Sequence, residues 1–152
     1  MKPASVISGL YETHISVADL ARSMRFYGDM LGLQLALLEP PRGLAFYWIG
    51  APGQSFLGLW QKSRTEIVKQ HFAFAIALGD LERGIACLAA SGIVVKNFFD
   101  EATDVPSVFS WMPAASIYFD DPDGHLLEFI ARLPGPPRPE RGIVWLPEWV
   151  RG

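Results

Sequence analysis

The chain contains one structural phrase twice, and this repeat constrains its fold more than any other feature. Asp19-Leu20-Ala21-Arg22 is answered by Asp80-Leu81-Glu82-Arg83, Gly32 by Gly92, and Pro52-Gly53 by Pro122 with its glycine shifted by one place. In the first half Tyr11 to Val17 alternates as a strand, with Glu12, His14 and Ser16 on one face and Thr13, Ile15 and Val17 on the other. Asp19 then stands as a helix N-cap. Leu20, Ser23, Met24, Tyr27 and Leu31 recur at helical spacing as far as Gly32, where a glycine ends a helix easily. Gln34 to Leu38, Leu44 to Ile49 and Ser55 to Gln61 read as strands, separated by the turn-rich Pro40-Pro41-Arg42-Gly43 and Gly50-Ala51-Pro52-Gly53. In the second half His71 to Leu78 reads as a strand. Asp80 caps a helix through Leu81, Ile85 and Leu88, Gly92 closes it, and Ile93 to Phe98 reads as the next strand. An irregular segment, Asp100 to Pro113, precedes a hairpin around Pro122. Each half is thus a βαβββ unit whose apolar sheet face is too large to leave uncovered, so the two are expected to share one α+β domain.

The modules span about 8–62 and 70–132 within a domain over 1–132, and 133–152 is a proline-rich C-terminal extension. Pro134-Gly135-Pro136-Pro137-Arg138-Pro139 cannot form a helix or a central strand. Trp145 and Trp149 beyond it are expected to dock on the body or on a second subunit. Half of the residues are hydrophobic, which excludes a disordered chain, and a net charge of −3 without a basic run gives no reason to expect nucleic acid or an anionic membrane. Cys87 is the single cysteine, so no intrachain disulfide forms, and a reducing cytoplasm is the expected location. Its mid-helix position, with no base nearby, suggests an inert buried thiol. Met1 to Leu10 has neither a basic start nor a long apolar run, and no window approaches the ~18 apolar residues of a spanning helix, so neither leader nor membrane span is expected.

The hairpin holds the chemical anomaly. Asp121-Pro122-Asp123-Gly124 is strong turn chemistry, with Ser116-Ile117-Tyr118-Phe119 before it and Leu126 to Ile130 after it. Glu128 lies among Leu126, Leu127, Phe129 and Ile130, and a carboxylate buried there unpaired costs several kcal/mol. A cation must answer it. His14 and His71 open the first strands of the two halves and are pseudo-symmetry mates; counting on from the paired prolines sets Gly58 opposite Glu128 and Trp48 opposite Tyr118. Two strand-borne histidines and a carboxylate are the ligand types of a facial metal triad with open positions for substrate. Either histidine alone has a plainer reading as a satisfied core residue; the repeat is what groups them.

The His14-Ile15-Ser16-Val17 strand, the Phe26-Tyr27…Leu31-Gly32-Leu33 helix end and the Asp121-to-Glu128 hairpin together resemble the vicinal oxygen chelate superfamily. It includes glyoxalase I, extradiol dioxygenases, fosfomycin-resistance thiol transferases and bleomycin-binding proteins. The resemblance covers about residues 8 to 132 and implies a cupped mixed sheet around one divalent metal ion held by His14, His71 and Glu128, Fe2+ or Mn2+ ahead of Zn2+ or Ni2+. It further implies a homodimer. Glyoxalase I relatives place a fourth ligand, a glutamate, where Gly58 falls in this count, so this chain lacks one of the two metal-bound carboxylates of that activity. Extradiol and fosfomycin enzymes match the three-ligand pattern and carry a tyrosine at the interval of Tyr118 from Glu128. The spare pocket histidine of the former is missing, because the parity of His125 turns it outward. The cationic cluster of the latter is replaced by Val108 and Pro137.

The expected function is therefore a metal-dependent enzyme of glyoxalase or dioxygenase type acting on a small, largely apolar, oxygen-bearing substrate. Tyr118 is the candidate hydrogen-bonding or proton-transferring residue. Phe46, Trp48, Phe56, Trp60, Phe109 and Trp111 are core by default; on the site face, Trp48, Phe56 and Trp60, with Ser16, are the candidate substrate-binding residues. The alternative is a metal-free module that sequesters a drug or metabolite between aromatics, as bleomycin-binding relatives do without the triad.

Overall fold

The computed structural model describes residues 3–152. The chain divides into two units, Met1–Val68 and Lys69–Gly152. The fold is α+β, with one mixed sheet in each unit.

The first unit follows the expected order closely. Strand β1 (Glu12–Val17) leads into helix α1 (Leu20–Met24), which runs on as a wider π-helical turn over Arg25–Met30. Strands β2 (Leu35–Glu39), β3 (Leu44–Ile49) and β4 (Ser55–Gln61) follow. The Asp19 carboxylate accepts the Arg22 N–H at 2.9 Å, satisfying one of the orphan donors of the first turn. At the other end Leu31 N–H reaches back to Phe26 O at 2.9 Å, and Gly32 takes φ 75°, a conformation that glycine adopts without penalty. The strand order is β1-β4-β3-β2, with β1 parallel to β4 and the other pairs antiparallel. Alternation then sorts the faces. Ile15, Val17, Tyr47, Leu57 and Leu59 are buried together with Phe26 and Tyr27 of the helical segment, whereas Glu12, His14 and Ser16 line the opposite face.

The second unit departs more. Its strands are β5 (His71–Ala75), β6 (Ser107–Phe109), β7 (Ala114–Asp120), β8 (Leu126–Arg132) and β9 (Ile143–Trp145), with helices α2 (Leu81–Ala90) and α3 (Leu146–Arg151). Their order is β5-β8-β7-β6-β9, with β5 parallel to β8. Ile93 to Phe98, expected as a strand, is not one: only Lys96 makes bridges, to Ala102 and to Tyr118. The reason is Asn97, whose side-chain oxygen accepts the backbone N–H groups of Phe99 and Glu101 at 2.9 and 3.0 Å and turns the chain away from a ladder. Strand β6 lies instead inside the segment read as irregular. Asp80 does not cap α2 through its side chain; its carboxylate takes Arg83 Nη2 at 2.8 Å.

The tail beyond Pro139 is ordered by this unit. Strand β9 pairs along the edge of β6, and α3 opens with Pro147 in its first turn, where a proline lacks nothing it needs. Trp149 packs with Val144 and Leu146 against the cluster of Leu81, Ile85, Val108, Ala115, Ile117 and Leu133. The guanidinium groups of Arg138 and Arg141 each lie 5.2 Å from the Trp149 ring centroid. Cys87 is exposed rather than buried: α2 buries Leu81, Ile85 and Leu88, and Cys87 falls off that stripe.

Candidate metal and substrate site

The hairpin is built as its sequence dictates. The Asp121 side chain accepts the backbone N–H groups of Asp123 and His125 at 2.9 and 2.8 Å, and Gly124 takes φ 82°. His125 belongs to this turn, not to the strand, so strand parity does not govern it. It is fully buried, and its Nδ1 accepts Gln70 N–H at 3.1 Å, which ties the turn to the residue before β5. The expectation of an outward-facing His125 is corrected on that ground.

The turn fixes the register of β7 and β8, pairing Tyr118 with Glu128 and Ala73 of β5 with Glu128. His71 pairs with Leu126 and shares the face of Glu128 and Tyr118. Within this unit the sequence-predicted residues do meet. His71 Nε2 stands 3.2 Å from Glu128 Oε2, and the His71 and Tyr118 ring centroids are 6.0 Å apart. His71 Nδ1 lies 3.0 Å from Leu126 O. A carbonyl only accepts, so Nδ1 carries a hydrogen; in a neutral ring Nε2 then presents its lone pair toward the carboxylate. Glu128 is buried, and its Oε1 has no hydrogen-bond partner. An imidazole nitrogen beside a carboxylate with one oxygen still unpartnered is a pair of donor types suited to a cation, and an unanswered buried oxygen costs about 1–3 kcal/mol. His71 and Glu128 thus supply two donors of the types that a divalent ion takes. The Tyr118 phenol beside them has its pKa raised, first by burial and then by the Glu128 charge, so it stays a hydrogen-bond donor.

These groups open into a cavity of about 730 Å3 lined by Phe98, Phe109, Trp111, Met112, Ile130, Lys69 and Lys96. Trp111, core by default in the sequence, is 60% exposed here. Lys96 Nζ is held by Asp100 at 2.7 Å and Asp120 at 2.8 Å. Sequence reasoning missed Lys96 and Phe98 as wall residues. The signal was present: a lone cation in the apolar run Ile93 to Phe99 is the same kind of anomaly as Glu128.

His14 stands on the exposed face of the first unit's sheet, amid Phe46, Phe56 and Trp60, at ring-centroid distances of 5.5, 5.8 and 6.0 Å. Phe46 stacks on Phe56 at 5.1 Å, and Trp48 meets Phe56 edge-on at 6.1 Å. The proposed substrate residues Trp48, Phe56 and Trp60 therefore form one aromatic surface, with Ser16 paired to Trp60 beside it. The register corrects the count made from the prolines. His14 pairs with Gly58 and Ser16 with Trp60, as His71 pairs with Leu126 and Ala73 with Glu128. Trp60, not Gly58, is the positional mate of Glu128, and Leu44, not Trp48, is the mate of Tyr118. Gly58 has a different role: a Cβ there would run into the His14 ring, so only glycine lets that ring lie on β4. Among the described residues no group of three or more His, Cys, Asp and Glu side chains stands together as a metal cluster.

Comparison with known proteins agrees with this architecture. An integron cassette protein from the mobile metagenome of the Halifax Harbour sewage outfall is 32% identical, with a TM-score of 0.69, over 82% of this chain and 99% of that one. The oxidase ChaP-H2 (24% identity, TM-score 0.66, 86% and 98% coverage) has the same fold. So does the lactoylglutathione lyase of Agrobacterium tumefaciens (22%, 0.63, 86% and 96%). The family model for the Glyoxalase/Bleomycin resistance protein/Dioxygenase superfamily matches residues 9–129, from just before β1 through Glu128 and Phe129 of β8. With that match spanning both repeated units and both histidine strands, the chain belongs to the glyoxalase/bleomycin resistance protein/dioxygenase superfamily.

Proposed function

We propose that this protein is a divalent-metal-dependent enzyme of glyoxalase or dioxygenase type whose substrate is small, largely apolar and bears oxygen. The observation that carries the proposal is Glu128: a buried carboxylate with one oxygen 3.2 Å from His71 Nε2 and the other without a partner. His71 and Glu128 are two ligands and His14 is the third, for one ion per chain, Fe2+ or Mn2+ ahead of Zn2+ or Ni2+. Such an ion supplies Lewis-acid stabilisation of negative charge developing on substrate oxygen. The protein's own groups do the rest. Tyr118, kept protonated by burial and by Glu128, donates a hydrogen bond to that oxygen or passes it a proton. Phe98, Phe109 and Trp111 exclude water from an apolar substrate body, and Ser16, Trp48, Phe56 and Trp60 offer a further aromatic surface. The working form is a cytoplasmic homodimer, checked by light scattering; among the described residues no helix is long and apolar enough to cross a membrane.

A second reading, a metal-free module that sequesters an aromatic molecule, draws on the ring cluster around His14. Elemental analysis separates the two. The enzyme reading expects about one divalent ion per chain in the purified protein and loss of most of it in His71→Ala with the fold intact by circular dichroism. Equal metal content in both proteins would overturn the ligand assignment.

A further inference from the structure

The two histidines, though pseudo-symmetry mates, are hydrogen-bonded in opposite senses. Trp60 Nε1 lies 2.9 Å from His14 Nδ1. An indole N–H only donates, so His14 Nδ1 must accept and carries no hydrogen. The hydrogen of the neutral ring then sits on Nε2, on the side of Glu12, whose Oε2 is 3.6 Å away. In the second unit Leu126 O takes the hydrogen of His71 Nδ1, so that in a neutral ring Nε2 keeps its lone pair. As neutral rings, His71 is held by its Nδ1 contact in the tautomer that binds metal through Nε2, and His14 in the tautomer that does not.

We infer that Trp60 is a hydrogen-bond latch on His14, which must be released before His14 can ligate a metal ion through Nε2. This inference rests on the reading of His14 as a ligand. Ligation through Nε2 requires the hydrogen to move to Nδ1, where it would confront the Trp60 N–H, two donors with no acceptor between them. Its neighbours hold the latch in place. Trp60 stands in the first unit where Glu128 stands in the second, Arg42 Cζ lies 5.5 Å from its ring centroid on the sheet surface, and Gly58 leaves the room in which the His14 ring lies. Trp60 is accordingly a positioning residue. It lowers the affinity of the full site by the worth of one neutral hydrogen bond, about three- to tenfold.

The test uses full-length protein labelled with 15N at histidine, without metal, and then titration with Zn2+. In the wild type, two-bond 15N–1H spectra are expected to show His14 protonated at Nε2 and His71 at Nδ1. Trp60→Phe retains a ring and removes the donor; it should shift His14 toward the Nδ1–H form and tighten Zn2+ binding by calorimetry about three- to tenfold. A wild-type His14 protonated at Nδ1 overturns the latch without any variant, as does Zn2+ affinity that is unchanged or weaker in a folded Trp60→Phe protein. If neither protein binds Zn2+, the ligand reading falls, while the tautomer spectrum still decides whether Trp60 holds His14.

Discussion

Each unit of this chain carries a histidine on a strand parallel to the last strand of its βαβββ order, and each presents another side chain two pairs further along. In the first unit that side chain is an indole; in the second it is a carboxylate. The backbone plan is shared, yet the chemistry is inverted. Trp60 brings a donor and gives His14 a satisfied, aromatic, partly exposed setting. Glu128 brings acceptors only, one of them buried without a partner and the other 3.2 Å from His71 Nε2. A repeat therefore conserves where side chains point without conserving what they can bind.

The largest effect expected from breaking this contrast is at Glu128. Glu128→Gln keeps the volume, removes the charge and supplies an amide donor toward His71. Metal affinity should fall a hundredfold or more, beyond the roughly 10- to 100-fold range of groups outside the coordination shell. The metal-free fold should hold its stability or gain about 1 kcal/mol in urea denaturation, because a buried unpaired charge has gone. A metal affinity within threefold of wild type would show that the contrast between indole and carboxylate does not govern binding.

Next in size is Tyr118, which has no phenolic counterpart in the first unit, since Leu44 occupies its register place. Once a turned-over substrate is in hand, Tyr118→Phe should lower kcat roughly ten- to a thousandfold, the range of one lost acid or oxyanion donor, with metal content unchanged. An unaltered kcat would return Tyr118 to a packing role.

Smaller again is the effect of Gly58→Ala. Its Cβ meets the His14 ring and must displace it, costing about 1–3 kcal/mol of stability by the usual toll of overpacking. Chemical denaturation measures it directly. For the same reason Gly58→Glu should not build a fourth ligand, since the strand position of Glu128 belongs to Trp60 and the new Cβ disturbs His14 first. Stability equal to wild type in Gly58→Ala would mean that His14 does not lie on β4 as described.

The smallest effect serves as the control away from both histidine faces. Cys87 on the exposed side of α2 should react with a thiol reagent in the native protein, and Cys87→Ser should change stability by no more than about 0.5 kcal/mol. A thiol that reacts only after unfolding would restore the buried reading.

Much of this was determined locally and could be read from the residues in order. The alternation of Tyr11 to Val17 placed His14 on the face opposite the core, the turn chemistry of Asp121 to Gly124 placed the last hairpin, and the isolation of Glu128 among apolar residues marked it as needing a partner. Period, propensity and turn geometry are properties of a few neighbouring residues, and they survive folding unchanged. What only the tertiary structure decided was non-local. Strand alternation assigns a face but not how far one strand slides along another, and a slip of two residues keeps every face while changing every partner. That slip separates Gly58 from Trp60 as the mate of Glu128. Asn97 overrode the strand propensity of Ile93 to Phe98, and the Gln70 N–H drew His125 inward, through hydrogen bonds that no periodicity encodes. The tautomers of His14 and His71 belong to the same class: an imidazole looks alike at both positions, and whether it offers a lone pair or a hydrogen at Nε2 is settled by the indole or the carbonyl that folding sets against Nδ1.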